Sequence, residues 1–406
     1  MKKKVVNLMM LLSLSALVMA GCGNKEAEDI KPLPIPEPVI VIEEPELEPE
    51  APAETEPAPN LVFTDENILN GIPIIGVRVE KDGLYQSYLT GTWKDANVAK
   101  RRPMALIMPN NRPSLPHYGI SRADIIFEAA VEGRTTRLIA FYEDYDDLEF
   151  IGPTRSARDY FVYEAMGKQG IFCNWGLAIP YCADLINSDR VDNISVKLEG
   201  INVGADEAFF RRSRPGGNYA REYTGYLTVE GYTKAVERLG YEKNYPANFV
   251  PQFTFAAEGT RVEYDGYPKT TAIYPGGTST NAGGYGNGNP YFDYHEDDYL
   301  YYRYQFSGKL IDEMTGEQVS YSNVVFQYMH GEQRDPNDYL AFGMHGEGKA
   351  QVFTNGRIIE GKWKRLDGDR VPAKFYDEND NEIVFNQGKT WICLIWNDYA
   401  EFVVYN

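Results

Sequence analysis

Cysteine, histidine and basic residues are all scarce in this chain of 406 residues. The cysteines are Cys22, Cys173, Cys182 and Cys393, and the last three are too few and too irregularly spaced to form a disulfide framework. Cys173 and Cys182 could pair in an oxidising compartment, but two buried free thiols are the expected state. The four histidines include no pair with the spacing of a metal-binding helix. No metal site is therefore expected.

The charge balance is strongly acidic. Lys and Arg number 40 against 59 Asp and Glu, which gives a net charge of −19. This balance argues against nucleic-acid binding and against a polybasic membrane patch. The sequence also contains no phosphate-binding loop, no dinucleotide fingerprint and no G-x-S-x-G nucleophile motif. We therefore expect neither a nucleic-acid partner nor a cofactor.

A long apolar run, residues 5–20, stands at the N-terminus directly after three lysines. A basic start before an apolar segment too short for a comfortable membrane span is typical of a secretory signal. The motif Met19-Ala20-Gly21-Cys22 follows, in which small residues let a peptidase approach and the cysteine thiol can accept diacylglycerol. The motif resembles the bacterial lipobox. It predicts a lipoprotein signal peptide at 1–21 and lipidation, including palmitate-like acyl chains, at Cys22.

The next segment, 22–60, predicts a disordered tether behind the lipidated cysteine. Residues 23–60 contain eleven acidic residues, two lysines and nine prolines. Such a composition favours extended polyproline II chain and cannot bury a core. At about 3.1 Å per residue its reach is on the order of 100 Å. The predicted location is the outer face of the cell membrane of a bacterium of the Gram-positive type, with the lipid binding the membrane.

The remaining residues predict an α+β fold, with a mixed α/β N-terminal domain at 61–245 and a mostly β C-terminal domain at 246–406. In the first domain, strands are predicted at 104–108, 124–128, 137–142 and 171–174, and helices at 154–167, from 206 and at 228–239. In the second domain helical periodicity disappears, and Asn355-Gly356 between two β-rich runs predicts a hairpin.

Polar residues are concentrated around the ends of the first strands. The candidate ligand-binding residues are Asn110, Asp124, Glu128, Glu132, Arg137, Arg155, Ser156, Arg158 and Asn174. In the segment 152–158 we expect Thr154 to cap a helix that carries Arg155, Ser156 and Arg158 in or just after its first turn, a place that favours a bound anion. Two readings stay open: an internal ion-pair network with the chain's own Glu128, Glu132 and Asp159, or a site for an anionic ligand.

These motifs also support a family resemblance over about Leu89 to Trp396. The chain resembles the YerB-like bacterial lipoproteins, a two-domain family without an established activity. The resemblance rests on Arg102–Ala105, Asn110, Gly119–Asp124, Glu128, Val131–Gly133, Thr136-Arg137, Gly152–Arg158, Asn323–Val325, Gly346–Gly348, Gly361–Trp363 and Asn386–Trp391. It implies a mixed N-terminal domain, a β C-terminal domain and a lipidated N-terminus. The family usually has histidines where this chain has Asn174 and, farther on, Thr224, so chemistry based on them is not expected here.

Two functions are compatible with these observations. The first is a binding or scaffolding lipoprotein of the cell envelope, more consistent with a non-enzyme, which contacts an envelope ligand or a protein partner through a groove around Glu132, Arg137, Arg155, Ser156 and Arg158. The alternative is an extracytoplasmic hydrolase or transferase acting on an envelope glycan or peptide. In that case Glu132 or Asp124 would act as acid or base, and the two arginines would clamp an anion.

Overall fold

The protein is described by a computed structural model that covers residues 68–69, 72–75, 80–257, 259–278, 285–286 and 288–406. The predicted signal peptide at 1–21, the lipidation site Cys22 and the predicted tether at 22–60 lie outside the described residues. The described residues belong to one compact unit.

A ten-stranded mixed sheet runs through the centre of this unit. Its strands in chain order are β1 (Met104–Asn110), β2 (Ile125–Val131), β3 (Thr135–Tyr142), β4 (Ile171–Asn174), β5 (Asn193–Ser195), β6 (Asn323–Met329), β7 (Gly346–Thr354), β8 (Arg357–Arg365), β9 (Lys374–Asp377) and β10 (Thr390–Trp396). Their spatial order is β5-β4-β1-β3-β2-β10-β6-β7-β8-β9. Strands β1, β2 and β3 form antiparallel pairs, whereas β2, β10 and β6 run parallel.

The central strands are apolar on both faces because both faces are covered. Every residue of β1, β2 and β6 is buried. Alternation along β1 sends Ala105 and Ile107 into one core and Leu106 and Met108 into the other. The strands predicted at 104–108, 124–128 and 137–142 are present, each shifted or extended by a few residues, and the strand predicted at 171–174 is exact.

Four α-helices are described: α1 (Ala96–Ala99), α2 (Asp159–Gly167), α3 (Ile179–Ile186) and α4 (Val229–Leu239). Helices α2 and α3 cover the first core, and α4 covers the second. The predicted cap of α4 is confirmed: Thr228 Oγ1 accepts a hydrogen bond from Gly231 N at 3.1 Å, and Gly240 follows with a φ of 71°. Residues 206–208 form only a 3₁₀ turn.

The helix predicted from Thr154 begins instead at Asp159. Residues 154–157 are extended, because their backbone N–H groups bond to other parts of the chain: Thr154 N donates to Gly225 O at 2.8 Å, and Arg155 N donates to Ile107 O at 3.0 Å. The prediction that Thr154 caps a helix carrying Arg155 and Ser156 in its first turn is therefore wrong. Arg158 takes the N-cap position, with a φ of −129°.

Smaller sheets surround the centre. Their strands are Ile68–Leu69, Ile72–Ile75, Thr254–Ala256 and Val384–Phe385; Phe150–Ile151, Phe209–Arg211 and Gly225–Thr228; Ala272–Tyr274, Tyr291–His295, Leu300–Gln305, Gly308–Lys309, Ser320–Tyr321 and Val404–Tyr405; Gly331–Gln333 and Leu340–Phe342; and Glu80–Lys81, Leu84–Gln86 and Trp93–Asp95. Among the described residues after 246 there is no α-helix, only the 3₁₀ segment Asn397–Phe402. The predicted α+β class, with a mixed first half and a mostly β second half, is confirmed.

The two halves share the central sheet. Strand β2 of the first half pairs in parallel with β10 of the second half, from Thr390 opposite Ile125 to Cys393 opposite Glu128. The boundary predicted between 245 and 246 stays a prediction about chain segments, since the hydrogen-bonded sheet is continuous across it. In the part of the chain that the structure describes, no helix has the length and apolar character needed to cross a bilayer.

Candidate functional site

A polar cleft of about 240 Å³ opens at the ends of β1, β2 and β3. We call it the arginine cleft, because three of its side chains are arginines. It is lined by Pro109, Asn110, Asn111, Val131, Glu132, Thr135, Thr136, Arg137, Arg155, Arg158 and Tyr223. Five of the predicted candidate residues are therefore brought together here: Asn110, Glu132, Arg137, Arg155 and Arg158.

A tight hairpin places Glu132 and Arg137 in the cleft. Strands β2 and β3 are joined by residues 132–134, and Val131 pairs with Thr135 across the turn. Gly133 adopts a φ of 70°, the left-handed conformation that three-residue hairpin loops commonly require. Glu132 therefore stands at the tip of the hairpin, and Arg137 projects from the third residue of β3.

The extended segment 155–158 supplies the other two arginines. Ala157 N donates to Gly176 O at 2.8 Å, and Trp175 N donates to Arg155 O at 3.0 Å. With the bond from Arg155 N to Ile107 O, these contacts fix the segment between β1 and the loop after β4. Backbone pairing, rather than a helix terminus, therefore positions Arg155 and Arg158.

Arg158 and Glu132 form a forked ion pair. Arg158 Nε donates to Glu132 Oε1 at 2.8 Å, and Arg158 Nη2 donates to Glu132 Oε2 at 2.5 Å. Burial raises the pKa of Glu132, but the hydrogen bonds and charge of Arg158 outweigh burial and leave that pKa below its ordinary value. Glu132 is therefore an ionised carboxylate whose two oxygens are both engaged.

Arg137 is buried beside this pair, and no carboxylate among the described residues forms an ion pair with it. Its Nη1 donates to the backbone oxygen of Ser156 at 2.7 Å, while its Nε is buried and has no acceptor among the described residues. Burial, together with the positive charges of Arg158 and Arg155, lowers the pKa of Arg137 to about 9. The guanidinium is thus still charged at neutral pH, in surroundings that disfavour its charge.

Behind the cleft, Glu128 ties its floor to the second half of the chain. Glu128 is fully buried, and its Oε1 accepts from Asn110 Nδ2 at 2.9 Å and from Thr136 Oγ1 at 2.7 Å. Its Oε2 accepts from Arg303 Nη2 at 2.7 Å and from Trp391 Nε1 at 3.0 Å. Glu128 therefore holds Asn110 and Thr136 in place but does not itself line the cleft.

Besides Glu128, three other predicted candidates do not line the cleft: Asp124, Ser156 and Asn174. Asp124 precedes β2 while Glu132 follows it, so the two are separated by roughly 25 Å of strand. Asp124 Oδ1 accepts from Lys94 Nζ at 2.9 Å, and its Oδ2 accepts from the backbone of Glu143 at 2.7 Å. These contacts make it part of a buried charge cluster at the opposite end of the strand.

Ser156 and Asn174 support the cleft from outside. The Ser156 hydroxyl donates to Trp175 O at 3.4 Å, and the backbone oxygen of Ser156 receives Arg137. Asn174 is fully buried, and its Nδ2 donates to Gly176 O at 2.6 Å. Asn174 thereby fixes the loop against which the arginine segment is bonded.

Several cleft residues were not among the predicted candidates. Asn111 and Thr136 each adjoin a predicted residue, so the same polar runs could have indicated them. Tyr223 could not have been found in this way, since it lies far along the chain in a 3₁₀ turn. Its hydroxyl accepts from Asn111 Nδ2 at 2.6 Å, and the Arg155 guanidinium lies 5.5 Å from the centre of its ring.

The described residues contain no group of three or more His, Cys, Asp or Glu side chains arranged to hold a metal ion. Cys173, Cys182 and Cys393 are free and buried. Cys173 belongs to the core under α4 and Cys182 to the core under α2 and α3, so the prediction of buried free thiols is confirmed.

Comparison with known proteins identifies the family of the chain. Residues 89–242 match the N-terminal domain, and residues 281–392 the C-terminal domain, of a family described as a protein of unknown function, DUF3048. The chain belongs to this YerB-like family, as its motifs predicted.

A named relative comes from Bacillus subtilis (strain 168). The protein called "Putative lipoprotein YerB" is 29% identical to this chain over 310 residues, which cover 76% of this chain and 85% of the relative. The crystal structure of the YerB protein from Bacillus subtilis matches with a TM-score of 0.63 at 23% identity, covering 79% of this chain and 99% of that one. This structural match shows a common fold.

Proposed function

We propose that the chain is a lipid-anchored binding protein on the outer face of a bacterial cell membrane, and that the arginine cleft binds an anionic ligand of the cell envelope. The observation that carries the proposal is Arg137. A buried guanidinium normally has a carboxylate partner, because burying an uncompensated charge is costly. Arg137 has none among the described residues and lines an open cleft. A bound anion would supply the missing partner.

The lipid anchor is supported by the N-terminal sequence and by the relative. The run Met19-Ala20-Gly21-Cys22 has the small residues and the cysteine that lipoprotein processing needs, and the Bacillus subtilis relative is named as a lipoprotein. Mass spectrometry of the mature N-terminus tests this part. We expect Cys22 as the first residue, carrying diacylglycerol. An uncleaved chain, or an unmodified Cys22, would refute the anchor.

The cleft favours binding over hydrolysis or group transfer. In the enzymatic alternative, Glu132 or Asp124 would have to exchange a proton with the substrate as acid or base. Glu132 is held as a carboxylate by Arg158, Glu128 is buried behind the cleft floor, and Asp124 lies at the far end of β2. No second carboxylate is among the cleft-lining residues that the structure describes.

Calorimetry on the full mature chain in detergent micelles tests anion binding. The probes are sodium lactate, N-acetylalanine and methyl phosphate at constant ionic strength, since salt screens exposed charges. We expect at least one probe to bind, and the Arg137→Met variant to lose at least tenfold in affinity. Arg238→Met is the matched control, because Arg238 pairs with Glu207 on the surface, away from the cleft. Absence of binding to wild type, or equal losses in both variants, would refute the proposal.

A further inference from the structure

Among the residues that the structure describes, the charged groups around the arginine cleft leave one positive charge without an ion-pair partner. Arg158 is paired with Glu132, and Arg155 Nη2 lies 3.2 Å from Glu222 Oε1 at the rim. Arg137 has no carboxylate within salt-bridge distance among the described residues. Among the described residues, the cleft and its rim therefore contain three guanidinium groups and two carboxylates, Glu132 in the cleft and Glu222 at the rim, and one added negative charge would make this set neutral.

This charge count distinguishes between classes of anion. A carboxylate brings one negative charge, whereas a phosphate monoester brings nearly two at pH 7 or above. The second charge of a phosphate would face Glu132 and Glu222, and like charges in a partly buried site repel strongly. A single carboxylate would neutralise Arg137 without such repulsion.

The geometry of the arginine side chains also favours a carboxylate over a phosphate. A guanidinium is a planar fork of donors that matches the two oxygens of a carboxylate. A phosphate is more often bound by the N–H groups of a helix start or a glycine-rich loop. Here the segment 154–157 is extended, and its N–H groups at 154, 155 and 157 already bond to backbone oxygens of Gly225, Ile107 and Gly176.

The volume of the cleft and its lining side chains restrict the chemical group that can be attached to the bound carboxylate. A volume of about 240 Å³ accommodates a small group or the end of a longer molecule. Apart from Pro109 and Val131, the lining side chains carry amide, hydroxyl or charged groups. A large apolar side chain would leave these groups without hydrogen bonds, which is costly, whereas hydroxyl or amide groups would satisfy them.

We propose that the arginine cleft selects a monocarboxylate carried on a small polar group, and that it discriminates against phosphate. This inference rests on the proposed binding function and adds the class of ligand. A hydroxy acid and the carboxyl end of a peptide share this chemistry.

The test compares lactate, N-acetylalanine and methyl phosphate by calorimetry on the full mature chain at pH 8, where methyl phosphate is a dianion because its second pKa is about 6. We expect lactate or N-acetylalanine to bind at least tenfold more tightly than methyl phosphate. Tighter binding of lactate would indicate a hydroxy-acid source, and tighter binding of N-acetylalanine a peptide end. Methyl phosphate binding as tightly as both would overturn the selectivity but leave anion binding intact. No binding by any probe would overturn the proposed function as well.

A variant that removes one negative charge tests the count of charged groups around the cleft. Glu132→Gln removes one negative charge and should raise the affinity for methyl phosphate at least tenfold, because two positive charges would then be unpaired. Glu222→Gln, at the exposed rim, is a second variant with the same expected direction and a smaller effect. Folding is checked by circular dichroism. Unchanged methyl phosphate affinity in both folded variants would overturn the charge argument.

Discussion

Arg303 donates from Nη2 to Oε2 of Glu128 at 2.7 Å, although the two residues are 175 positions apart and both are fully buried. The guanidinium lies against two rings that also contact each other, with its carbon 4.5 Å from the centre of Phe292 and 4.7 Å from that of Trp391. The pair joins the cleft floor to the second half of the chain. It does so without access to water, so each charge depends on the other.

Breaking this pair should cost more stability than any surface pair. Glu128→Leu leaves the Arg303 charge buried and uncompensated, and we expect a loss of about 3–5 kcal/mol in the free energy of unfolding. Urea denaturation measures it. Glu230→Gln, in the exposed pair with Lys234, is the control and should cause little change. The double variant Glu128→Leu/Arg303→Leu should recover part of the loss. Similar losses for Glu128→Leu and the control would contradict the pairing argument.

Arg137 and Arg158 should respond differently to removal of charge. Arg137→Met removes a buried cation that has no carboxylate partner in the described part of the chain, so we expect the free energy of unfolding to fall by less than about 1 kcal/mol. Arg158→Met leaves Glu132 without its forked partner and should cost about 2 kcal/mol. Thermal melts at neutral pH compare the two variants. If Arg137→Met lowered the free energy of unfolding more than Arg158→Met does, Arg137 would be a residue that stabilises the fold and not one that binds a ligand.

His117 should make the protein sensitive to acid. It is fully buried, and its Nε2 lies 2.6 Å from the backbone oxygen of Pro109 at the cleft edge. Burial, opposed by this hydrogen bond and aided by the charge of Arg214, lowers the pKa of His117 to about 4 from an ordinary value of 6.5. The unfolded chain therefore binds more protons between these values, and stability present above pH 6.5 is lost as the pH falls towards 4.

The expected loss from His117 is about 3 kcal/mol across this range. His117→Gln keeps an N–H donor for Pro109 O but does not titrate, so its stability should change less between pH 6.5 and 4. Denaturation at a series of pH values measures the slope. His295→Gln, at an exposed histidine, is the control. Equal slopes in wild type and His117→Gln would exclude His117 as the source.

The hairpin between β7 and β8 requires glycine at position 356. Gly356 has a φ of 64°, and a Cβ there would lie 2.5 Å from Cε1 of Tyr294. Both the left-handed backbone and the close contact oppose a side chain, so Gly356→Ala should cost about 2–4 kcal/mol. Gly308→Ala is the control, since a Cβ there meets nothing within 4 Å. Comparable melting temperatures for the two variants would contradict this account.

Local patterns in the sequence predicted the elements whose stability is local. Helix α4 was placed by Thr228 and Gly240, and the β7–β8 hairpin by Asn355-Gly356, because caps and tight turns depend on neighbouring residues. The start of α2 was misplaced because the extended form of residues 154–157 depends on backbone partners at Ile107, Gly176 and Gly225. Those partners come from distant segments, and no nearby residue indicates them.

The same distinction applies to the cleft. Their grouping could be inferred, because each of the five predicted cleft residues lies just after a predicted strand, at the start of one, or in one polar segment: Asn110, Glu132, Arg137, Arg155 and Arg158. The position of Asp124 could be misjudged because its polarity resembles theirs, yet it stands at the opposite end of the same strand. The pairing of β2 with β10 joins residues more than 260 positions apart, and periodicity carries no information about such distant partners.

The pairing of β2 with β10 also affects how the newly synthesised chain can fold. The ribosome synthesises the chain from its N-terminus, and β10 (Thr390–Trp396) follows the other nine strands of the central sheet in the chain. Strand β10 lies between β2 and β6, so these two strands cannot be joined in one sheet before β10 has been synthesised. Until β10 has been made, the edge of β2 that pairs with it is an unpaired apolar edge, which is prone to self-association. We therefore expect a chain that is truncated before residue 390 to aggregate or to be degraded by proteases, because it lacks the strand that joins β2 to β6.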